Sequence, residues 1–158
     1  MTNITSVMTE LIKSAVLAEP LAKDFNEPTE QMISELYRLS KFHDIANIVG
    51  SSLIDNGFVK SADMREKFQK EIMLSVYRER QISTALSTIS EAFRQAKIEF
   101  IPLKGSVIRP LYAKPWLRTS CDIDILVKES ELDRAVALLA EKHGSRASQN
   151  RNFHDIDL

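Results

Sequence analysis

Hydrophobic residues in the first third of the chain recur with the spacing of one face of a helix. A first series falls at Ile4, Val7, Met8, Leu11, Ile12 and Ala15. A second series follows Pro28 and falls at Met32, Ile33, Leu36 and Tyr37. A third, weaker series falls at Ile45, Ile48, Val49 and Leu53 and is closed by Asn56-Gly57. Steps of three and four residues predict three amphipathic helices, and the Asn-Gly pair predicts a turn after the third.

The segment from Ser61 to Lys97 contains neither glycine nor proline, which predicts one long helix or two helices with a bend. Its apolar positions step by four, three, four and three residues, at Ile82, Leu86, Ile89, Phe93 and Ala96. A continuous helix here would span about 50 Å. Its charged residues carry both signs and predict a solvated surface; they include Arg65, Glu66, Lys70, Glu71, Arg78, Glu79 and Arg80.

Beyond Lys97 the pattern changes to short apolar runs that are typical of strands. Strands are predicted over residues 98–103 and 121–127, and helices over 106–112 and 130–142. Pro110 limits the first of these helices to a turn or two. We therefore predict an α+β fold, with a helical amino-terminal region over 1–97 and a β-α-β-α region over 98–158. Glycines and prolines are expected where the pattern changes, at Pro20, Pro28, Gly50, Gly57, Pro102, Gly105, Pro110, Pro115 and Gly144.

The composition argues against several classes of protein. With 158 residues, 44% of them hydrophobic, the chain can build one sizeable core or two small ones. A formal net charge of -1, from 21 basic and 22 acidic side chains, argues against binding nucleic acid by bulk electrostatics. The single cysteine, Cys121, cannot form an internal disulfide. Because we find neither a signal peptide nor an apolar run of the roughly 20 residues that span a bilayer, we expect a cytoplasmic protein that does not bind membranes.

Two aspartates one residue apart lie in the second strand run. On a strand, Asp122 and Asp124 point to the same face. Burying two like charges side by side is costly unless a cation lies between them, so the pair predicts half of a divalent metal site. The alternative is an edge strand with solvated carboxylates, against which the flanking Ile123 and Ile125 favour a buried strand.

A Gly-Ser pair follows the first strand run. Gly105 lets the backbone approach a ligand closely, and the start of a helix offers unpaired N–H groups that suit phosphate oxygens. Ser106 adds a hydroxyl at the same place. A plain turn is the alternative for so short a motif. Asp122 lies sixteen positions after Ser106, enough for a short helix and a return to a neighbouring strand.

A strand, Gly-Ser, a short helix and Asp-x-Asp, in that order, resemble the nucleotidyltransferase superfamily of the DNA polymerase beta type. The closer resemblance is to the bacterial uncharacterised nucleotidyltransferase family. Its signature has Leu-Lys-Gly, a Tyr, an Arg and Asp-[Ile/Leu]-Asp-Leu-Leu-Val in that order. The matching residues are Leu103-Lys104-Gly105, Tyr112, Pro115, Arg118 and Asp122-Ile123-Asp124-Ile125-Leu126-Val127. The resemblance implies that 98–158 forms an incomplete nucleotidyltransferase core, a mixed β-sheet with flanking helices.

The resemblance also implies the metal chemistry. Asp122 and Asp124 match the first two metal-binding carboxylates of the family and would be catalytic. They would hold Mg²⁺ in a two-ion site, which Mn²⁺ could also occupy, bridging the triphosphate and the attacking hydroxyl. The resembling enzymes use a third carboxylate on a later strand. Asp155 or Asp157 could supply it, or it is absent, since the Glu-x-His strand of the family does not occur in this sequence.

On the phosphate side, Gly105 and Ser106 match the glycine turn over the nucleotide phosphates. Arg118 matches the family arginine ahead of the strand, where a guanidinium could bind the phosphate that takes up charge as pyrophosphate leaves. Lys104 could do similar work, or could cap a helix or reach solvent. Trp116, in the loop between the motifs, either packs beneath the site or stacks on a base.

Members of the resembling family are longer, so we expect a truncated gene product, a fragment or a proteolysed chain. A cut sheet would leave an unpaired edge, through which a homodimer could form. The leading hypothesis is transfer of a nucleoside monophosphate from a nucleoside triphosphate to an acceptor with release of pyrophosphate. The acceptor, a protein, RNA or small molecule, and the base of the nucleotide are left open. The alternative is an inactive nucleotide-binding or protein-interaction module of the same fold, and a helical scaffold with an incidental Asp-x-Asp is a third possibility.

Overall fold

The computed structural model describes residues 3–120 and 122–143. These residues form six α-helices and two strands: α1 (Ile4–Leu17), α2 (Glu30–Phe42), α3 (Ala46–Asp55), α4 (Ala62–Gln95), β1 (Phe100–Pro102), α5 (Gly105–Ile108), β2 (Ile125–Val127) and α6 (Leu132–His143). Short 3-10 turns add Arg109–Leu111, Pro115–Leu117 and Glu129–Glu131. The predicted α+β class, with a helical amino-terminal region, is confirmed.

Contacts divide the chain into two compact units. The first unit comprises Met1–Gln81 and Val107–Cys121, and the second comprises Ile82–Ser106 and Asp122–Leu158. Both units therefore draw on α4 and on the carboxyl-terminal part of the chain. The division of the sequence at residue 97 stays a prediction.

The first two helices of the first unit begin at side-chain caps. The Asn3 side chain accepts a hydrogen bond from the Thr5 backbone N–H at 3.0 Å. The Thr29 hydroxyl, just after Pro28, accepts one from the Met32 N–H at 3.3 Å. Each cap satisfies a donor that the first turn of a helix leaves unpaired. Both helices start where the apolar series predicts them.

The core of the first unit is made by one face each of α1 and α2 packed with α3 and the start of α4. Its buried hydrophobic residues are Val7, Leu11, Ile33, Leu36, Val49, Leu53, Val59, Met64 and Phe68. In α3 the whole run from Ala46 to Leu53 is buried. A helix enclosed on all sides need not show an apolar stripe, which explains why its sequence series is the weakest of the three.

Gly50 was expected at a change of pattern, but it lies inside α3. A Cβ built on Gly50 would lie 2.5 Å from Cδ1 and 2.9 Å from Cγ of Phe68, whose side chain is fully buried. No real Cβ tolerates such a distance. The glycine is therefore required by the close approach of an aromatic ring and does not mark the end of a helix.

The segment after α5 is fixed to the helices of the first unit by hydrogen bonds of buried side chains and by one exposed ion pair. Asn47 is 4% exposed, and its Nδ2 donates to Ser75 Oγ at 3.0 Å and to the Trp116 carbonyl at 3.2 Å. The Ser75 hydroxyl donates to the same carbonyl at 2.5 Å. Lys114 Nζ donates to Asp55 Oδ2 at 2.7 Å. These bonds hold the 3-10 turn Pro115–Leu117 in one position.

Helix α4 is continuous over 34 residues, which corresponds to about 51 Å at 1.5 Å per residue. Of the two predicted alternatives, one long helix is the one that the structure shows. Among the residues that the structure describes, no helix is both long and apolar enough to cross a membrane.

The second unit has its own small core. Phe93 and Ile98 are buried with Ala135 and Leu139 of α6. The rings of Phe93 and Phe100 meet edge to face, with centroids 5.3 Å apart. This contact places β1 against the end of α4 and against α6 within the unit.

Strands β1 and β2 pair antiparallel, with Phe100 opposite Val127, Ile101 opposite Leu126 and Pro102 opposite Ile125. Both strands are shorter than the predicted runs of 98–103 and 121–127. The partners Ile101 and Leu126 are 58% and 54% exposed, so the sheet has an apolar outer face. Dimerisation through a sheet edge stays a prediction.

Candidate functional site in the second unit

The turn after β1 is built around a left-handed residue. Lys104 has φ 44°, a conformation that costs a residue with a Cβ about 1 kcal/mol or more. Sequence reasoning assigned the special backbone of this turn to Gly105. Gly105 is buried and begins α5.

The turn is joined to the approach of β2 by two bonds. The Leu103 N–H donates to the Asp124 carbonyl at 2.9 Å, which extends the ladder by one residue beyond the strands. Lys104 Nζ donates to Asp124 Oδ1 at 3.0 Å. The lysine side chain is 69% exposed, whereas that of Asp124 is 24% exposed. The Leu-Lys-Gly motif and the second aspartate are therefore brought together, as the sequence spacing predicts.

The two aspartates lie just before β2. The antiparallel register would place Asp122 and Ile123 opposite Gly105 and Lys104. There the partner chain has already turned away from the strand direction, so β2 begins at Ile125. Asp122 is exposed and Asp124 is partly buried, so the two carboxylates are not buried together as a pair of like charges. Cys121, the start of the predicted strand, lies outside the described residues.

Ser106 contributes its hydroxyl to the same turn. Its backbone N–H donates to the Leu103 carbonyl at 3.2 Å, so this donor already serves the turn. Its Oγ is buried and has no hydrogen-bond partner among the described residues. A buried hydroxyl without a partner is uncommon in folded proteins and marks a place where a polar ligand group would be stabilised.

The donor chemistry of this site fits a hard divalent cation. Asp122 and Asp124 supply carboxylate oxygens, the ligand type that Mg²⁺ and Mn²⁺ prefer. Lys104 shares one oxygen of Asp124, and its exposed ammonium can move aside at small cost because exposed ion pairs are weak. Within residues 3–120 and 122–143 no three histidine, cysteine or acidic side chains form a metal-binding group. Asp155 and Asp157, the candidates for a third carboxylate, lie outside the described residues.

Arg118 belongs to the first unit. It follows the turn Pro115–Leu117 and lines a pocket there together with Arg78, Glu79 and Arg109. Sequence reasoning placed Arg78 and Glu79 on a solvated face and passed over Arg109, which is 4% exposed. No pattern signals the burial of Arg109, since it lies in a 3-10 turn without a period. The sequence signal for its burial is that Arg109 lies directly before Pro110, between Ile108 and Leu111.

Trp116 is held mainly by its backbone. Its carbonyl accepts bonds from Asn47 and Ser75. Its ring lies beneath Lys114, with Nζ 5.5 Å from the ring centroid. Packing beneath the site and stacking on a base both stay predictions for Trp116.

A family model described as uncharacterised nucleotidyltransferase matches residues 29–158. No curated protein and no solved structure matches the chain. The family match includes α2, α3 and α4 as well as the two motifs, so it extends well beyond the segment that carries the sequence resemblance. Since it covers far more than half of the chain, the protein belongs to the uncharacterised nucleotidyltransferase family.

Proposed function

We propose that this protein transfers a nucleoside monophosphate from a nucleoside triphosphate to an acceptor hydroxyl or phosphate. An acceptor oxygen would form a bond to the α-phosphorus, and the bond from that phosphorus to the bridging oxygen would break. Pyrophosphate would leave with the bonding electron pair, and the proton of an acceptor hydroxyl would pass to solvent or to a base. The observation that carries the proposal is the meeting of Lys104 with Asp124 at the turn before Ser106.

Asp122 and Asp124 are the residues that would hold Mg²⁺, with Mn²⁺ as a substitute. A divalent cation bound there would neutralise phosphate charge and favour ionisation of the acceptor hydroxyl. The unequal exposure of the two carboxylates supports a division of labour. Asp124 is fixed at the end of the sheet by the Leu103 bond to its carbonyl, whereas Asp122 faces solvent and is open to ligands.

The phosphate side of the site is proposed to consist of Lys104, Gly105 and Ser106. With a cation held by Asp124, the Lys104 ammonium would be available to incoming phosphate oxygens, where a positive charge would stabilise the departing pyrophosphate. The unpartnered Ser106 hydroxyl can donate to a phosphate oxygen, and the missing side chain at Gly105 leaves room beside it. Positioning and charge neutralisation would supply most of the catalysis.

An inactive nucleotide-binding module of the same fold is the second candidate. One observation favours it. The described residues provide two carboxylates at this turn and no third side chain that would complete a metal-binding group. Transfer separates the candidates, because both would bind a nucleotide and the transferase alone would move it.

The test is incubation of the protein and Mg²⁺ with each of the four nucleoside triphosphates, labelled at the α-phosphate or at the γ-phosphate. Candidate acceptors are the protein itself, total RNA and a small-molecule extract. Nucleotidyl transfer predicts label on an acceptor from the α-labelled nucleotide and none from the γ-labelled one. Acceptor labelling from the γ-phosphate would instead indicate a phosphotransferase. Saturable nucleotide binding without any transfer would favour the inactive module.

A further inference from the structure

A pocket within the first unit is lined by more positive than negative charge. Arg78 and Glu79 of α4 line it together with Arg109 and Arg118. Ser75 and Ser120 contribute hydroxyls to the same wall. The guanidinium groups stay charged at any physiological pH, so the single carboxylate leaves an excess of positive charge.

Arg109 is the most unusual member of this wall. It is 4% exposed, and its Nη2 donates to Ser120 Oγ. Its Nε is buried and has no hydrogen-bond partner among the described residues. A buried charge is costly unless it is paired, and an unsatisfied donor adds to that cost. The Nε of Arg109 is therefore a donor that an anionic ligand could satisfy.

Arg118 is a second arginine of this pocket with an unsatisfied donor. Its Nε is also buried without a hydrogen-bond partner in the described part of the chain. Arg78 is exposed and stands at the same pocket from α4. Three guanidinium groups from separate parts of the first unit thus share one pocket with the single carboxylate of Glu79, which offsets only part of their mutual repulsion.

The wall is rigid because buried polar groups hold it. Ser75 Oγ donates to the Trp116 carbonyl at 2.5 Å, and Asn47 Nδ2 donates to Ser75 Oγ at 3.0 Å. These bonds fix the chain one turn before Arg118 against α4, from which Arg78 projects. The arrangement is therefore preorganised and does not need a ligand to assemble it.

We propose that this pocket binds a phosphate group, with Arg78, Arg109 and Arg118 as its ligand-binding residues. A guanidinium presents paired N–H donors that match the oxygens of a phosphate, and such charge-assisted bonds are the strong ones. The choice of phosphate over other oxyanions rests on the proposed function, in which the nucleoside triphosphate carries phosphate. The predicted phosphate role of Arg118 thereby gains two partners that sequence reasoning did not include.

The test is calorimetric titration of the intact protein with inorganic phosphate in the presence of EDTA. Arg78→Gln is the main variant, because Arg78 is exposed and its loss does not threaten the fold. Arg118→Gln is the second. Arg80→Gln is the matched control, since Arg80 is an exposed arginine of the same helix that does not line the pocket. We expect saturable binding that weakens about tenfold in each pocket variant and less than twofold in the control.

Binding should also weaken steeply with added NaCl. Absence of saturable phosphate binding would overturn the proposal, as would equal affinities for wild type, Arg78→Gln and Arg80→Gln. Competition by a nucleoside triphosphate in EDTA would identify the bound group as a nucleotide phosphate. Simultaneous binding of inorganic phosphate and nucleoside triphosphate would identify the bound group as a phosphate that the nucleotide does not supply. Either result supports the pocket.

The result of the phosphate titration can be distinguished from the result of the transfer assay. The double variant Asp122→Asn with Asp124→Asn should bind inorganic phosphate in EDTA as wild type does, even if it transfers no nucleotide. If phosphate binding fails while transfer succeeds, the pocket inference alone is wrong. If transfer fails while phosphate binding succeeds, the proposed function alone is wrong.

Discussion

Lys104 and Asp124 form an ion pair across the end of the two-stranded sheet, with Nζ 3.0 Å from Oδ1. The same lysine is the left-handed residue of the turn. Under the proposed function, a cation bound by the carboxylate would compete with the ammonium for that oxygen, so the pair would link metal binding to phosphate binding.

Replacing Lys104 should separate its effect on metal binding from its effect on nucleotide binding. In Lys104→Gln, we expect Mg²⁺ to bind about two- to fivefold more tightly without nucleotide, since an exposed ion pair contributes little and its loss frees an oxygen. Nucleoside triphosphate in the presence of Mg²⁺ should bind more weakly. Calorimetric titrations with each ligand measure both effects. Lys128→Gln removes the same charge from the same unit and should alter neither; equal changes in the two variants would mean a general charge effect.

A second prediction concerns the packing of Gly50 against Phe68. Gly50→Ala gains up to about 1 kcal/mol of helix propensity but forces a Cβ into the aromatic ring, which costs about 1–3 kcal/mol. We expect a net loss in the free energy of unfolding, measured by urea denaturation. A Phe68→Ala background removes the Cδ1 and Cγ contacts and leaves the Cβ contact at 2.9 Å, so Gly50→Ala should be less harmful there. An equal loss in both backgrounds would contradict the contact.

Asn47 should matter for the wall of the arginine pocket as well as for stability. Asn47→Ala leaves the Trp116 carbonyl with one donor fewer and removes a buried network, so we expect a loss of about 1–3 kcal/mol. Hydrogen exchange should accelerate at the N–H of Leu117. Asn56→Ala, at an exposed asparagine bonded to a carbonyl of its own helix, serves as the control. Unchanged exchange at Leu117 would show that Asn47 does not hold this turn.

The ends of the two strands predict a pH effect. The hydrogen bond and the charge of Lys128 lower the pKa of Glu99, and the same contact with Glu99 raises the pKa of Lys128. A depressed folded-state pKa stabilises the fold above the unfolded-state pKa of Glu99, and this contribution is lost as pH falls through the folded-state pKa. The Lys128 contribution is present below its unfolded-state pKa and is lost as pH rises through its raised pKa.

An NMR titration of the Glu99 side chain checks this effect directly. The midpoint should lie below the ordinary glutamate range in wild type and return to it in Lys128→Met. Both residues are fully exposed, so the effect on stability should be small. An unshifted Glu99 midpoint in the wild-type protein would contradict the pairing.

Sequence reasoning located most of the fold because α1, α2 and α4 bury one face, and burying one face leaves a period in the sequence. It underestimated α3, whose residues are enclosed on all sides. It placed Asp122 and Asp124 inside a strand because an apolar run does not reveal where the pairing partner ends. The left-handed Lys104 was missed for a related reason, since a glycine stood next to it and was the more obvious candidate.

The arginine pocket lay beyond sequence reasoning altogether. Its guanidinium groups come from α4 and from two points of the segment between the motifs, so nothing in their spacing connects Arg78 with Arg109. Only the fold of the first unit shows that the three groups share a pocket. Arg118 alone could be identified, through the family resemblance.

The most direct test of metal-dependent nucleotidyl transfer is the amount of α-phosphate label moved to an acceptor by wild type and by the double variant Asp122→Asn with Asp124→Asn. Glu129→Gln is the control, because it removes an exposed carboxylate of the same unit. We predict Mg²⁺-dependent transfer by wild type and Glu129→Gln that EDTA abolishes, and a loss of at least about a hundredfold in the folded double variant. Undiminished transfer by the double variant would contradict the assignment of the two aspartates.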